Sequence, residues 1–292
     1  MSHSILFCGT PHFAVPSLRM LLHDDDFEVK AVITQPDKPV GRKQTLTYPP
    51  VKTLALDHQI PVLQPENINT FLPDYIEKHP EMKPDFLVVV AYGKILKQAV
   101  LDLPNIAPIN VHASVLPRWR GASPIEHAIL NGDATTGVTI QIMSAGLDEG
   151  PILSIDKIGI GAHETAPQLR ERLSVIGAEL LVKTLKEPLH PVPQSAEGIT
   201  VCTKIKKEDG NVDPKTMSAW QIERAIRAYQ PWPGVKATID GHEVKLIEAS
   251  IEPDPSAIAI ACNENTTLYV TMLQPPGKKP MKATDWQRGL RN

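Results

Sequence analysis

Between residues 109 and 153 the chain reads INVHASVLPRWRGASPIEHAILNGDATTGVTIQIMSAGLDEGPIL, and three residues in it have the types and spacing to do chemistry together. Asn110 and His112 are two apart, so in an extended strand both project from one face. Asp148 follows the alternating run 138–143 and sits in Gly146-Leu147-Asp148-Glu149-Gly150, where the two glycines are expected to allow a sharp turn that re-aims the carboxylate. An amide donates hydrogen bonds without titrating, an imidazole donates or carries a proton near neutrality, and a carboxylate orients the imidazole or takes the proton onward. That combination suits acyl transfer, with Asn110 and a protonated His112 facing a tetrahedral oxyanion. Removing such a donor typically costs about a hundred- to a thousandfold in rate. The same residues also admit a structural reading, in which Asn-x-His makes a turn and a hydrogen-bonded core histidine, and the glycine-flanked Asp simply turns the chain.

Two other chemistries are less well supported. Ser114 would share the face of His112, but no Gly-x-Ser-x-Gly elbow presents its hydroxyl, and neighbours on one strand seldom give a nucleophile and a base the right approach. Cys8, Cys202 and Cys262 have no paired spacing, so neither a zinc site nor a disulfide framework is expected, and the expected number of bound metals is none.

The elements that must position these residues alternate along the chain. Residues 4–8 form an apolar run ending at Gly9, 13–23 carry a helical pattern and 29–34 a second strand, which is a βαβ opening. A dinucleotide fingerprint would need more glycines than Gly9 alone, which removes the main support for a dehydrogenase. Residues 86–91 are a continuous β-branched run of the kind buried on both faces of a parallel sheet, and helical patterns at 51–58, 70–79 and 94–101 separate the strands. The fold class is therefore α/β, a doubly wound, mostly parallel sheet. Val90 and Tyr92 end the buried strand, at the carboxyl edge where such sheets place ligands. Residues 35–50, which include Lys38, Arg42 and Lys43 among glycine and prolines, read as a long exposed loop. Ser123-Pro124 suits a helix start, and 166–187 carries a leucine stripe that serves packing.

Residues 187–198 are proline-rich and aperiodic, an extended connector. The expected organisation is a domain at 1–187, a linker at 188–203 and a second domain at 204–292. The second domain begins with the basic Lys204-Ile205-Lys206-Lys207, continues with an amphipathic helix at 217–229, and then has strands at 235–240 and 243–250 around Asp240-Gly241 and at 257–262 and 266–272 around 263–265. Those hairpin signals predict a small β-barrel. The 292 residues are 42% hydrophobic and 22% charged, an ordinary composition for a two-domain globular chain. No apolar run approaches the ~20 residues that cross a bilayer and no signal core is present, so the expected compartment is the cytoplasm. The net charge of −3 divides into 17 Lys/Arg against 22 Asp/Glu in residues 1–200 and 13 against 11 in residues 201–292, which permits a nucleic-acid partner without requiring one.

Asn110-Val111-His112, Ser114-Val115-Leu116-Pro117, Arg118-Trp119-Arg120-Gly121 and Gly137-Val138-Thr139-Ile140 through Leu147-Asp148-Glu149-Gly150 resemble the core of the formyltransferases that use 10-formyltetrahydrofolate. Pro117-Arg118-Trp119-Arg120-Gly121 and Pro231-Trp232-Pro233-Gly234 resemble the members that formylate the methionine of initiator methionyl-tRNA. The resemblance covers nearly the whole chain. It implies a Rossmann-like catalytic domain followed by an OB-like barrel that holds tRNA, with 10-formyltetrahydrofolate as co-substrate and no metal. It further implies catalysis by Asn110, His112 and Asp148, and a folate pocket lined by Val90, Tyr92, Ser114, Val115, Leu116 and Pro117, largely through backbone groups, with Tyr92 packing on a ring. The 35–50 segment would reach the tRNA acceptor end through Arg42, Lys43 and Lys38, with Lys204 and Lys206 as second contacts, and the protein is expected to act as a monomer. Arg118 and Arg120 fit either salt bridges or the acceptor end. Between Glu252 and Ile258 the chain is shorter than is usual in the family, so the barrel is expected to lack an edge. The main alternative is a folate-dependent formyltransferase for a small amine, glycinamide ribonucleotide or an amino sugar, which would need neither the basic loop nor the C-terminal domain. A non-catalytic folate- or RNA-binding protein is the third.

Overall fold

The computed structural model describes residues 2–41 and 44–290. Contacts divide it into two compact units, one formed by the chain up to Gly121 with Gly137–Ile158 and Arg170–Val201, the other by Ala122–Thr136, Gly159–Leu169 and the chain from Cys202 onward.

The elements run β1 (His3–Gly9), α1 (Val15–Leu22), β2 (Phe27–Ile33), β3 (Lys38–Val40), β4 (Thr45–Thr47), α2 (Pro50–Asp57), β5 (Val62–Leu63), α3 (Ile68–Lys78), β6 (Phe86–Val90), α4 (Gln98–Leu101), β7 (Ala107–His112) and β8 (Arg120–Gly121). Then come α5 (Pro124–Asn131), β9 (Thr135–Ile142), β10 (Ile152–Gly159) and α6 (Ala166–Lys186). Seven strands make one sheet in the order β10-β9-β7-β6-β1-β2-β5. Pairing is parallel from β5 through β7, and β9 runs antiparallel to β7. Strand β6 is buried along its whole length, as a β-branched run covered on both faces should be. The chain winds from β1 outward to β5 and then crosses to β6, so the reversal of strand order lies between β1 and β6, the crevice position of doubly wound sheets.

Two local expectations need correction. The helix expected at 94–101 shrinks to the single turn α4, because the Asn69 side chain accepts from Lys97 N at 2.7 Å and donates to Ile95 O at 3.0 Å, occupying backbone groups that an earlier turn would use. The segment 35–50 is not simply a loop: β3 and β4 pair antiparallel, Lys38 opposite Thr47 and Val40 opposite Thr45. Its base is fastened by Lys52, whose Nζ donates to Asp37 Oδ2 at 2.7 Å and to Gln64 Oε1 at 2.8 Å and lies 4.1 Å from the Tyr48 ring centroid. Lys52 and then Gln64 hold the Asp37 carboxyl below the usual carboxylate range. Arg42 and Lys43 lie outside the described residues.

After β11 (Val201–Cys202), the second unit adds α7 (Ala219–Ala228), β12 (Val235–Ile239), β13 (His242–Ser250), β14 (Ile258–Cys262), β15 (Thr266–Gln274), β16 (Met281–Lys282) and α8 (Ala283–Leu290). The expected turns take left-handed conformations at Asp240 and Gly241 and at Glu264 and Asn265, the pairs of positive φ that let a two-residue hairpin follow the strand twist. The strand order is β12-β13-β15-β14, with β16 also on β15. Strand β14 covers Thr266 to Val270 of β15, and β16 continues the same flank at Met272 and Leu273, so the short 252–258 segment does not leave β15 uncovered. Single bridges from Asn211 to Lys236 and from Ser218 to Asn263 tie the preceding segment to both margins of this sheet. Helix α7 buries Ala219, Ile222, Ala225 and Ile226 and packs on α5, β13 and β15, while the Gln221 side chain accepts from Ser218 N at 2.9 Å at its start.

Candidate active site

In an antiparallel pair, residues directly opposite each other point to the same face. Asn110 of β7 stands opposite Gln141 of β9, and His112 opposite Thr139. One face of this pair therefore carries an amide, an imidazole, a hydroxyl and a second amide. Gln141 and Thr139 were readable in principle, as the polar members of Val138-Thr139-Ile140-Gln141-Ile142, but only once β9 is known to lie against β7.

Strand β9 leaves beside the start of β7, where Met143 N donates to Pro108 O at 2.8 Å. Asp148 reaches His112 because the following turn folds back over the polar face. The left-handed residue in that turn is Asp148 itself, φ +52°, whereas Gly146 and Gly150 have no positive φ. Gly150 is required by close approach instead: a Cβ there would lie 1.8 Å from the Ile142 carbonyl oxygen.

The Asp148 carboxylate is the centre of the cluster. Its Oδ1 accepts from Asn110 Nδ2 at 3.3 Å and Gln141 Nε2 at 3.1 Å and lies 3.5 Å from His112 Nδ1, while Oδ2 accepts from Gly121 N at 2.8 Å. The side chains of His112 and Asp148 are 7% and 14% exposed, dry enough that each hydrogen bond orients its partner. His112 Nε2 lies 2.9 Å from the Trp119 carbonyl, which can only accept, so that nitrogen carries a hydrogen and Nδ1 faces the carboxylate. The sequence missed this Trp119 contact.

It also missed what holds the two walls. Thr200 Oγ1 accepts from Trp119 N at 2.8 Å and Thr200 O from Arg120 N at 2.9 Å. Gln194 Nε2 donates to the carbonyls of Asp148 and Gly150, each at 2.8 Å, and its Oε1 accepts from Arg120 Nη2 at 2.8 Å and Nε at 3.1 Å. Both residues lie in the aperiodic segment read as a linker, which gives no pattern from which docking could be inferred. Arg120 pairs with Glu149 at 3.5 Å, which makes it a salt-bridge partner, and Arg118 lies 4.5 Å over the Trp119 ring.

The residues assigned to folate divide into two groups. Val90 and Tyr92 are buried, and Tyr92, 1% exposed, belongs to the core cluster that also holds Leu6, Cys8, Ile33 and Leu72, so its ring does not present a face for stacking. Burial pushes its phenol up, the hydroxyl has no hydrogen-bond partner among the described residues, and its carbonyl accepts from Thr10 Oγ1 at 3.1 Å and Gln35 Nε2 at 3.2 Å. In 114–117 most backbone groups are likewise occupied. Thr139 Oγ1 donates to Ser114 O at 2.7 Å and accepts from Leu116 N at 3.1 Å, Val115 O accepts from Arg118 N and Pro117 O from Thr200 N. Ser114 Oγ donates to Arg118 O at 2.6 Å, away from any nucleophilic role. The accessible parts are Val115 and Pro117, both half-buried, and the exposed Ala91 and Gly93 of the turn after β6. Lys38, Lys204 and Lys206 are exposed. Among the described residues no group of three or more His, Cys, Asp or Glu is placed to hold a metal ion, and no helix is long and apolar enough to cross a membrane.

The description "Formyl transferase" matches residues 3–185, and "Formyl transferase, C-terminal domain" matches residues 204–291. A methionyl-tRNA formyltransferase of Magnetococcus marinus is 44% identical over 300 residues, covering 98% of this chain and 95% of that protein. Another, of Myxococcus xanthus, is 42% identical over 300 residues, covering 98% and 94%. Among solved structures, an N-formyltransferase from Helicobacter canadensis in complex with folinic acid and dTDP-3-aminofucose shares the fold with a TM-score of 0.68 at 19% identity, over 94% of this chain and 100% of that one. With both descriptions matched and such identities sustained over nearly its whole length, the chain belongs to the formyl transferase family and groups there with the methionyl-tRNA formyltransferases.

Proposed function

We propose that the chain transfers the formyl group of 10-formyltetrahydrofolate to the α-amino group of methionine on initiator methionyl-tRNA, for translation initiation. The observation that carries this reading is identity of 42% and 44% to methionyl-tRNA formyltransferases across both domains. A C-terminal domain alone does not separate it from the small-amine alternative, since the amino-sugar enzyme's fold matches 94% of this chain. The expected discriminator is therefore weaker than the sequence suggested, and the substrate must be tested directly. Supplied with 10-formyltetrahydrofolate and, separately, initiator methionyl-tRNA, glycinamide ribonucleotide or a nucleotide-linked amino sugar, the protein should formylate the tRNA. Turnover with a small amine and none with the tRNA would assign the alternative.

In this reading the folate supplies the formyl carbonyl and the chain supplies everything else. The neutral amine forms a bond to the formyl carbon, the bond from that carbon to the folate nitrogen breaks, and the proton lost by the amine leaves on that nitrogen. Asn110 uses one amide hydrogen toward Asp148 and retains a second for the oxyanion. His112 joins it when its Nε2 hydrogen turns from the Trp119 carbonyl. Asp148 orients His112 and takes the amine proton in transit. No acyl-enzyme forms and no metal has a role. The folate lies against residues 91–93, Val115 and Pro117, which offer apolar surface and a turn with exposed backbone. Residues 1–187 act as the catalytic domain, 188–203 as the connector and 204–292 as the tRNA-holding domain. Lys38, Arg42, Lys43, Lys204 and Lys206 contact the RNA, and the protein works as a cytoplasmic monomer.

The base of the hairpin β3–β4 then matters for RNA binding. Because the folded pKa of Asp37 is depressed, the contribution of its pair with Lys52 is complete above the unfolded carboxylate value and lost only as pH falls through the depressed one. Near neutrality the anchor is constant. Lys52→Met should raise KM for methionyl-tRNA several-fold and leave KM for the folate unchanged. Steady-state kinetics with each substrate varied check this, and an unchanged tRNA KM would contradict it.

A further inference from the structure

We propose that Gln194, in the connector between the two family domains, is a positioning residue for the catalytic carboxylate, an inference that rests on the reading of Asp148 as catalytic. Of residues 191–199, all are exposed except Gln194, which turns inward. Its amide orientation is fixed by its neighbours. Nε2 faces three acceptors, the Asp148 and Gly150 carbonyls at 2.8 Å and Gln141 Oε1 at 3.4 Å, while Oε1 faces a guanidinium that can only donate.

The two carbonyls belong to Asp148 itself and to Gly150, so Gln194 holds the closing half of the turn that carries the carboxylate, and Asp148 stands there at φ +52°, a conformation an aspartate holds where its surroundings fix it. Arg120 completes the brace, gripping Gln194 Oε1 with two nitrogens and Glu149 of the same turn with the third. Six residues further along, Thr200 holds the backbone of Trp119, whose carbonyl is the partner of His112, and of Arg120, whose neighbour Gly121 gives Asp148 its backbone N–H. The connector thus fixes both members of the His112–Asp148 pair. Acting through Asp148, Gln194 touches no substrate.

The test uses the full-length enzyme with Gln194→Ala, which removes both functions of the amide, and Gln194→Glu, which can accept from Arg120 but has no hydrogen for the two carbonyls. Both should lower kcat by about 10- to 100-fold, the scale of a misplaced catalytic group, with KM for folate and methionyl-tRNA within about twofold of wild type. In an Asp148→Asn background, Gln194→Ala should cost little more, because the residue it positions is already disabled. Three results would overturn the proposal: wild-type kcat in both Gln194 variants while Asp148→Asn is impaired, an equal fold-loss in both backgrounds, or a lowered melting temperature with kcat per folded enzyme unchanged. Near-wild-type turnover of Asp148→Asn would instead remove the catalytic reading on which it rests.

Discussion

Asp148→Asn is expected to lower kcat for formyl transfer by about 10²- to 10⁴-fold, with KM for both substrates near wild type. The substitution keeps size and shape, so the effect isolates charge and hydrogen-bond polarity. Every group around the carboxylate donates: Asn110 Nδ2, Gln141 Nε2, Gly121 N and, when protonated, His112 Nδ1. An amide in its place must turn an NH₂ toward one of those donors, and it cannot pair with an imidazolium or take a proton from the amine. Because Asp148 is largely buried, the mismatch is not relieved by water. Steady-state formylation of methionyl-tRNA checks the prediction, and a kcat within a few-fold of wild type would remove Asp148 from the mechanism.

Gly150→Ala should be nearly as damaging although it changes no polar group. Its Cβ would lie 1.8 Å from the Ile142 carbonyl oxygen and 2.9 Å from the carbonyl carbon, both backbone atoms at the end of β9, so the turn itself must shift. Overpacking of this kind costs about 1–3 kcal/mol of stability. A shift of ~1 Å in the Asp148 turn costs roughly a hundredfold in rate. Gly146→Ala is the milder comparison, since its Cβ meets the far end of the exposed Glu149 side chain, 2.2 Å from Oε2, which can swing away at the cost only of its 3.5 Å pair with Arg120, while Gln194 keeps its hold on Arg120. Urea unfolding and kcat measured on both variants should show the loss at Gly150 and little at Gly146. The reverse pattern would mean that the glycines serve another purpose.

Much of this site was legible in the sequence because it is built on local periodicity. Asn110 and His112 share a face through the two-residue repeat of a strand, and the buried run at 86–90 announces a central parallel strand. The Asp240-Gly241 turn is equally local. What the sequence did not disclose depends on pairings between distant segments. Gln141 joins the site only through its register opposite Asn110, and Gln194 and Thr200 only because the proline-rich connector lies along the turn and the 119–121 segment. Tyr92 was misjudged for the same reason, since its place at a sheet edge says nothing of which way the ring turns, and here it turns into the core. The short α4 reflects competition by the Asn69 side chain, again a contact between segments far apart in the chain.

The convergence of His112 and Asp148 on one reaction is tested most directly by single-turnover formylation of methionyl-tRNA with enzyme in excess, comparing wild type, His112→Ala, Asp148→Asn and the double variant. Each single variant should lose at least about a hundredfold in the transfer rate, and the double variant little more than the worse of the two, because groups acting as a unit are lost together. Single-variant rates near wild type, or losses that multiply in the double variant, would contradict the assignment.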